Sequence, residues 1–167
     1  EMGFASDLEL MLVYAGEGRT DGNSVLTNAQ FFERMVRMIE QGIRAPQDGI
    51  FHVDLRIRPY GQAGPAAVRF SDLATYYAVG GPAWPYERQA LVRFRHVAGD
   101  RVFGDEVTLS VQRMVYAAED FNFAAMNAMR ERQVRQLVRG GTINAKLSDG
   151  GLVDCEYAVQ ALQLVFG

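Results

Sequence analysis

The chain has 167 residues, a formal net charge of −3 at pH 7, 49% hydrophobic and 22% charged residues, and a single cysteine, Cys155. That length allows one domain with a real core, and the composition excludes a disordered chain and a general nucleic-acid binder. An internal disulfide is excluded, the lone thiol fits a reducing compartment, and no stretch approaches the roughly 20 apolar residues of a membrane span.

Residues 8–14 form a short apolar run that predicts a buried strand, closed by a turn-rich loop over 15–24 that holds Gly16, Gly18, Asp21, Gly22 and Asn23. A helix follows. Asn28 reads as its cap, Phe31, Phe32, Met35, Met38 and Ile39 recur at helical spacing, and Gly42 and Pro46 end it. Residues 50–57 alternate as a strand. Val53, Leu55 and Ile57 take one face, and His52, Asp54, Arg56 and Arg58 the other. A Pro- and Gly-containing loop breaks that strand. A short strand is expected at 68–70, and a helix capped by Ser71 at 72–78.

After Gly80-Gly81-Pro82, residues 91–97 are read as a strand with Arg93 and Arg95 on one face. Helices are expected at 105–116 and 121–139, the latter ended by Gly140-Gly141. A tight turn at Gly150-Gly151 leads to a last helix over 152–166. Cys155, Ala158, Val159, Leu162 and Val165 form its apolar side, with Glu156, Gln160 and Gln163 elsewhere. Strands early and helices late give an α+β protein with a small sheet. The chain starts at Glu1 without Met, shows no signal peptide and ends in an apolar run. It is expected to be a fragment of a longer, cytoplasmic protein.

The chemistry concentrates in the early strands. On a strand, Asp7 and Glu9 share a face, and two adjacent carboxylates repel unless a cation binds them. A D-x-E string alone is as readily a loop edge. Asp54 alone reads as a surface residue paired with Arg56, worth roughly 0–1 kcal/mol. Together, three carboxylates on one sheet face can hold two hard cations that clamp a nucleoside triphosphate. Other candidates carry less. His52 and His96 are far from the cysteine, which disfavours zinc. Cys155 reads as a buried thiol. Tyr76, Tyr77 and Trp84 suit adenine stacking or, more simply, core packing. Arg130, Arg132, Arg135 and Arg139 read as a solvated helix face.

Three strings occur in order: Gly3-Phe4-Ala5-Ser6-Asp7-Leu8-Glu9-Leu10, Val53-Asp54-Leu55-Arg56-Ile57-Arg58-Pro59-Tyr60-Gly61 and Lys146-Leu147-Ser148-Asp149-Gly150-Gly151-Leu152-Val153-Asp154-Cys155-Glu156-Tyr157. With residues 84–95 they resemble the glutamine-synthetase adenylyltransferase family, the bifunctional adenylyl-transferring and adenylyl-removing enzymes of nitrogen control. The resemblance covers essentially the whole chain. It implies a nucleotidyltransferase, polymerase-beta-like fold: a small mixed sheet with flanking helices, then a helical segment. Residues 1–100 would be the catalytic core, N-terminally truncated, and 101–167 a helical portion packed on it in the same unit.

By that resemblance Asp7, Glu9 and Asp54 are the catalytic carboxylates and the ligands of two Mg2+ ions. Ser6, Arg56, Arg58 and Lys146 would bind the nucleotide and its phosphates, and Asp154 and Glu156 would either join the site directly or support it from behind or dock the last helix. The substrates would be ATP, or ADP and phosphate. The partners would be glutamine synthetase and, through the full-length enzyme, a PII-type signalling protein, with neither nucleic acid nor membrane. The sequence departs from the family pattern in three places. The Gly-Gly turn expected just upstream is missing, Glu9 stands where Asp is more usual, and Val153 where Arg is frequent. Cues of both halves of the bifunctional enzyme are present, with a lean to the removing type. A catalytically weak nucleotide- or partner-sensing domain, or a nucleotidyltransferase with another hydroxyl acceptor, stays open.

Overall fold

The computed structural model describes residues 8–43, 53–116 and 122–167. Among these the order is β1 (Leu8–Glu9), β2 (Leu12–Tyr14), α1 (Asn28–Gly42), β3 (Val53–Asp54), β4 (Ala67–Arg69), α2 (Phe70–Tyr77), α3 (Pro85–Ala90), α4 (Arg101–Tyr116), α5 (Phe123–Leu137) and α6 (Leu152–Phe166). This is an α+β arrangement, with every strand before residue 70. The chain forms two compact units, Glu1–Tyr76 and Tyr77–Gly167. Residues 77–100, grouped with the sheet in the sequence reading, belong to the helical unit.

In the first unit the run 8–14 is two strands, not one, because it changes partner at Leu10 and Met11. β1 pairs in parallel with β3, and β2 in parallel with β4. The described residues therefore give two parallel ladders in place of one mixed sheet. An antiparallel bridge from Arg19 to Thr27 closes the loop between β2 and α1. Thr27, not Asn28, caps α1. Gln30 N donates to Thr27 Oγ1 and Thr27 N donates to Gln30 Oε1, a reciprocal capping box. Asn28 instead donates from Nδ2 to Gly16 O at 2.7 Å, tying the helix to the loop.

The core face of α1 is centred on Val36. Phe31 and Met38, expected inside, are exposed because they lie together on the face of the helix turned away from Val36. Val36 joins Tyr14, Leu55 and Ala67, with Phe32 stacked on Tyr14 at 5.0 Å. Burial of Val36 and of Leu55 is worth about 1.5–3 kcal/mol each. The expected strand over 50–57 shrinks to Val53–Asp54, residues 50–52 lying outside the described set. Helix α2 starts at Phe70, so Ser71 lies inside its first turn and does not cap it; Leu73 and Tyr76 are buried.

In the second unit the expected strand over 91–97 is absent. Pro85 sits at the start of α3, where its missing N–H costs nothing, and Trp84 N donates to Glu87 Oε2 at 2.7 Å. The helical turn continues through a 3-10 segment, Leu91–Arg93, that buries Leu91. Leu91, Val107, Val111, Val115, Met126, Val153 and Ala161 are buried here. Arg88 donates to the carbonyls of Tyr77, Ala78 and Met114, satisfying helix-end acceptors. A Cβ at Gly104 would lie 2.2 Å from the His96 ring, so the ring packs there only against a residue without a side chain.

Helix α6 has the expected bounds but the opposite orientation. Val153, Gln160 and Ala161 face inward, whereas Cys155 is exposed and Val159, Leu162 and Val165 are 42–58% exposed. Gln160 is buried because Gln89 Nε2 donates to its Oε1 at 2.8 Å, which satisfies the polar group. Among the described residues no helix is long and apolar enough to cross a membrane.

Candidate functional site

The site is built on the first parallel ladder. Glu9 on β1 and Asp54 on β3 are register partners, so their side chains leave the same face of the ladder. Leu10 N donates to Asp54 O at 2.9 Å and fixes that register one residue further. Ser6 and Asp7, expected to complete the site, lie outside the described residues.

Asp54 is the most constrained member. Its carboxylate side chain is 14% exposed and accepts four hydrogen bonds from Arg56. The Arg56 backbone N donates to Oδ1 at 2.8 Å, Nε reaches both oxygens at 2.9 and 2.8 Å, and Nη2 closes on Oδ2. The Arg56 guanidinium outweighs partial desolvation and holds the Asp54 carboxyl below its ordinary range; the charge of Arg58 adds to this. Asp54 is thus a fixed anion at neutral pH. That suits a ligand of a cation better than a general base, which needs a pKa near the working pH.

Arg56 and Arg58 were expected side by side on a strand face. Instead the backbone turns at Leu55, and the two arginines do different things. Arg58 donates from Nη1 to Leu55 O at 2.7 Å and from Nε to Gly64 O at 3.3 Å, bracing the loop that follows Asp54. That loop contains two consecutive residues at positive φ, Tyr60 (61°) and Gly61 (55°), and the 3-10 turn Gly61–Ala63. Gly64 has room for no side chain, since a Cβ would meet Pro59 O at 2.0 Å. The Tyr60 ring sits edge-on to Tyr76 at 4.7 Å. Tyr76 and Tyr77 are buried, as core packing requires, whereas Trp84 is exposed beside Tyr86.

Two carboxylates in register supply hard oxygen donors of the kind Mg2+ takes, and the kind of donor fits. Among the described residues no group of three or more His, Cys, Asp and Glu is arranged to hold an ion. Glu9 and Asp54 are therefore a partial set.

Lys146, Asp154 and Glu156 belong to the second unit. Lys146 is exposed in a turn organised by Asn144, whose Oδ1 accepts from Lys146 N and Leu147 N at 3.0 Å. Asp154 accepts from Arg130 Nε and from Gly150 N, each at 2.5 Å. These two bonds, the first above all, hold its carboxyl below the ordinary range. Arg130 also donates from Nη2 to Leu147 O and Ser148 O. Arg130 is thus 8% exposed, not part of a solvated face, and its signal was its phase: it lies one helical turn after buried Met126. The first amides of α6 are also taken, Leu152 N by Ala145 O and Val153 N by Lys146 O. The Gly150-Gly151 turn directs its donors inward, and Asp154 serves to dock it. Glu156 is exposed.

Residues 1–110 match the family described as glutamate-ammonia ligase adenylyltransferase. Similar proteins include three described as bifunctional glutamine synthetase adenylyltransferase/adenylyl-removing enzymes. That of Thioalkalivibrio sulfidiphilus is 38% identical over 99% of this chain, that of Hahella chejuensis 36% over all of it, and that of Pseudomonas aeruginosa 35% over all of it. The chain spans only 17–18% of the length of these relatives. With more than half its length matched, and relatives above 30% identity along all of it, the chain belongs to the glutamate-ammonia ligase adenylyltransferase family.

Proposed function

We propose that this chain is part of a metal-dependent nucleotidyltransferase domain that moves an adenylyl group between a nucleotide and a tyrosine hydroxyl of glutamine synthetase. The forward reaction would use ATP; the reverse would be phosphorolysis of the tyrosyl adenylate to ADP. The observation that carries the reading is the pairing of Glu9 with Asp54, two carboxylates on one ladder face with Asp54 kept ionised. The activity for which the family is named would give that pair its chemistry. The core would have the nucleotidyltransferase fold, with Asp7 as a third carboxylate and Ser6 and Lys146 at the phosphates.

Glu9 and Asp54 would hold Mg2+, two ions when Asp7 is included. Bound there, the ions would neutralise phosphate charge and favour in-line displacement at the α-phosphorus. Asp54 would face the acceptor oxygen and orient it while staying unprotonated. Arg56 offers a planar, exposed guanidinium that matches phosphate oxygens in pairs. Arg58 would act through the loop it braces and keep Asp54 in line. Glutamine synthetase would be the partner, a reading that the relatives' names support; a PII-type protein acting on the full-length enzyme and a cytoplasmic location would follow from that role.

The test is nucleotide binding and adenylyl transfer by the full-length protein with Mg2+. Unmodified glutamine synthetase with ATP and the adenylylated form with phosphate separate the two directions. Asp54→Asn is expected to lower turnover by about 10²–10³-fold, the scale of removing one group that stabilises transition-state charge. Full activity in that variant would sink the proposal. A second reading, a nucleotide-sensing domain without turnover, is favoured by the Arg56 fork that covers Asp54. Tight nucleotide binding with no transfer in either direction would select it.

A further inference from the structure

We propose that α6 has a second packing face: a seam of Leu152, Cys155, Val159, Leu162 and Phe166 that receives an apolar helix from the polypeptide by which the relatives exceed this chain. The inference is independent of the nucleotidyltransfer reading and concerns how this part of the protein is joined to the remainder.

Spacing points to a helix as the partner. The five residues lie 3, 4, 3 and 4 positions apart, the heptad interval of helices that pack side by side. At 3.6 residues per turn they form one stripe, roughly half a turn around the axis from Val153, Gln160 and Ala161, which face inward. The inward side already docks α6 through the bond from Gln89 to Gln160, so the second apolar side has no use there. Leu152 is 64%, Val159 56%, Leu162 58% and Phe166 79% exposed, and Cys155 between them is exposed as well. A contiguous apolar stripe marks a contact, which apolar residues scattered singly do not.

Chemistry and size select which helix. α6 contains no Lys or Arg, and Glu156 and Gln163 flank one edge of the seam. An anionic lipid surface draws in helices with basic flanks, so it does not suit this one. A second copy of the chain fits poorly too. The seam spans two heptads, short of the three or four that about mark a free-standing coiled coil. A helix of 15 residues is about 22 Å long and about 10 Å wide, so the seam covers roughly 200 Å² in plan. Separate molecules that pair stably cover about 800 Å² each. A tethered helix needs far less, because linkage sets its effective concentration at about the millimolar level. Polypeptide to supply it exists in the relatives, of whose length this chain spans only 17–18%.

The experiment uses the full-length protein and follows N-ethylmaleimide labelling of Cys155 by peptide mass spectrometry, in native buffer and in urea. Native labelling is expected to be at least about 100-fold slower than in urea at every protein concentration, since the thiol reacts only when the contact opens. Leu162→Asp puts a charge on the seam and leaves Gln89 and Gln160 untouched; it is expected to speed native labelling about tenfold or more. p-Benzoylphenylalanine in place of Phe166 is expected to photo-cross-link, within one molecule, to a segment outside these 167 residues. That cross-link decides the matter if Leu162→Asp fails to fold. Native labelling as fast as in urea would overturn the proposal, as would protection that Leu162→Asp leaves unchanged. Protection that grows with protein concentration would assign the seam to a second copy. A cross-link to another protein, or none outside these residues, would overturn the tethered helix as well.

Discussion

At Gly64 the constraint is steric. Its backbone is extended, at φ −84° and ψ 167°, which any residue adopts. Yet a Cβ would sit 2.0 Å from Pro59 O, a backbone atom that can yield only if the loop moves. The same residue's carbonyl receives Arg58 Nε, so a shift there reaches the brace behind Asp54. Gly64→Ala is expected to cost about 2–3 kcal/mol, near the top of the range for ordinary single substitutions. Urea unfolding measures it, and a matched loss of nucleotide affinity would tie the loop to the site. An unchanged midpoint would mean that the loop gives way freely. The sequence announces this loop through Pro59, Gly61, Gly64 and Pro65, but not which glycine is compulsory. That depends on a contact between residues five apart that exists only once the turn has closed.

Among the elements, α3 and α6 are joined by a buried polar bond. Gln89 Nε2 donates to Gln160 Oε1 at 2.8 Å, with both residues at most 8% exposed. Gln89→Leu strands the Gln160 amide and is expected to cost about 1–3 kcal/mol. Adding Gln160→Leu removes the stranded group, so the double variant is expected to recover much of that loss. Simple additivity of the two single losses would argue against the bond as drawn. This pair also explains why the inward side of α6 is not its most apolar one. Its bounds are legible from Gly150-Gly151 and the long apolar run, but that run supplies apolar residues on both sides. Periodicity cannot choose between two such sides, and a buried Gln reads as surface until its partner 71 residues away is known. The error at 91–97 has a related cause. Leu91 to Val97 alternates like a strand, while the deciding signal, Pro85 with Glu87 opening a helix, lies upstream. In the first unit the ladder face was legible at Asp54. The placement of Arg56 and Arg58 was not, because a turn two residues long is invisible to a strand pattern.

For the molecule as a whole, stability should be confined between two pH limits, and each unit contributes one group to each. On the acid side are Asp54 and Asp154, both held below the ordinary carboxylate value of 3.8, chiefly by Arg56 and Arg130. A carboxyl depressed in the folded state stabilises it fully above the unfolded value, and loses that contribution as pH falls through the folded value. On the alkaline side are Tyr14 and Tyr157, both raised above 10.0, chiefly by burial, with Glu17 adding to the first. A raised phenol works the other way. Its contribution is complete below the unfolded value and is lost as pH rises towards the folded one. Thermal melts are therefore expected to show a plateau of stability from about pH 5 to about pH 9, with losses beyond both ends. Asp54→Asn should lower the plateau and flatten the acid limb, because the variant no longer has that proton to gain. Tyr157→Phe should flatten the alkaline limb and leave the acid limb as it was. A wild-type melting temperature unchanged down to pH 3 would mean that the ion pairs of Asp54 and Asp154 hold no more firmly in the fold than in the unfolded chain.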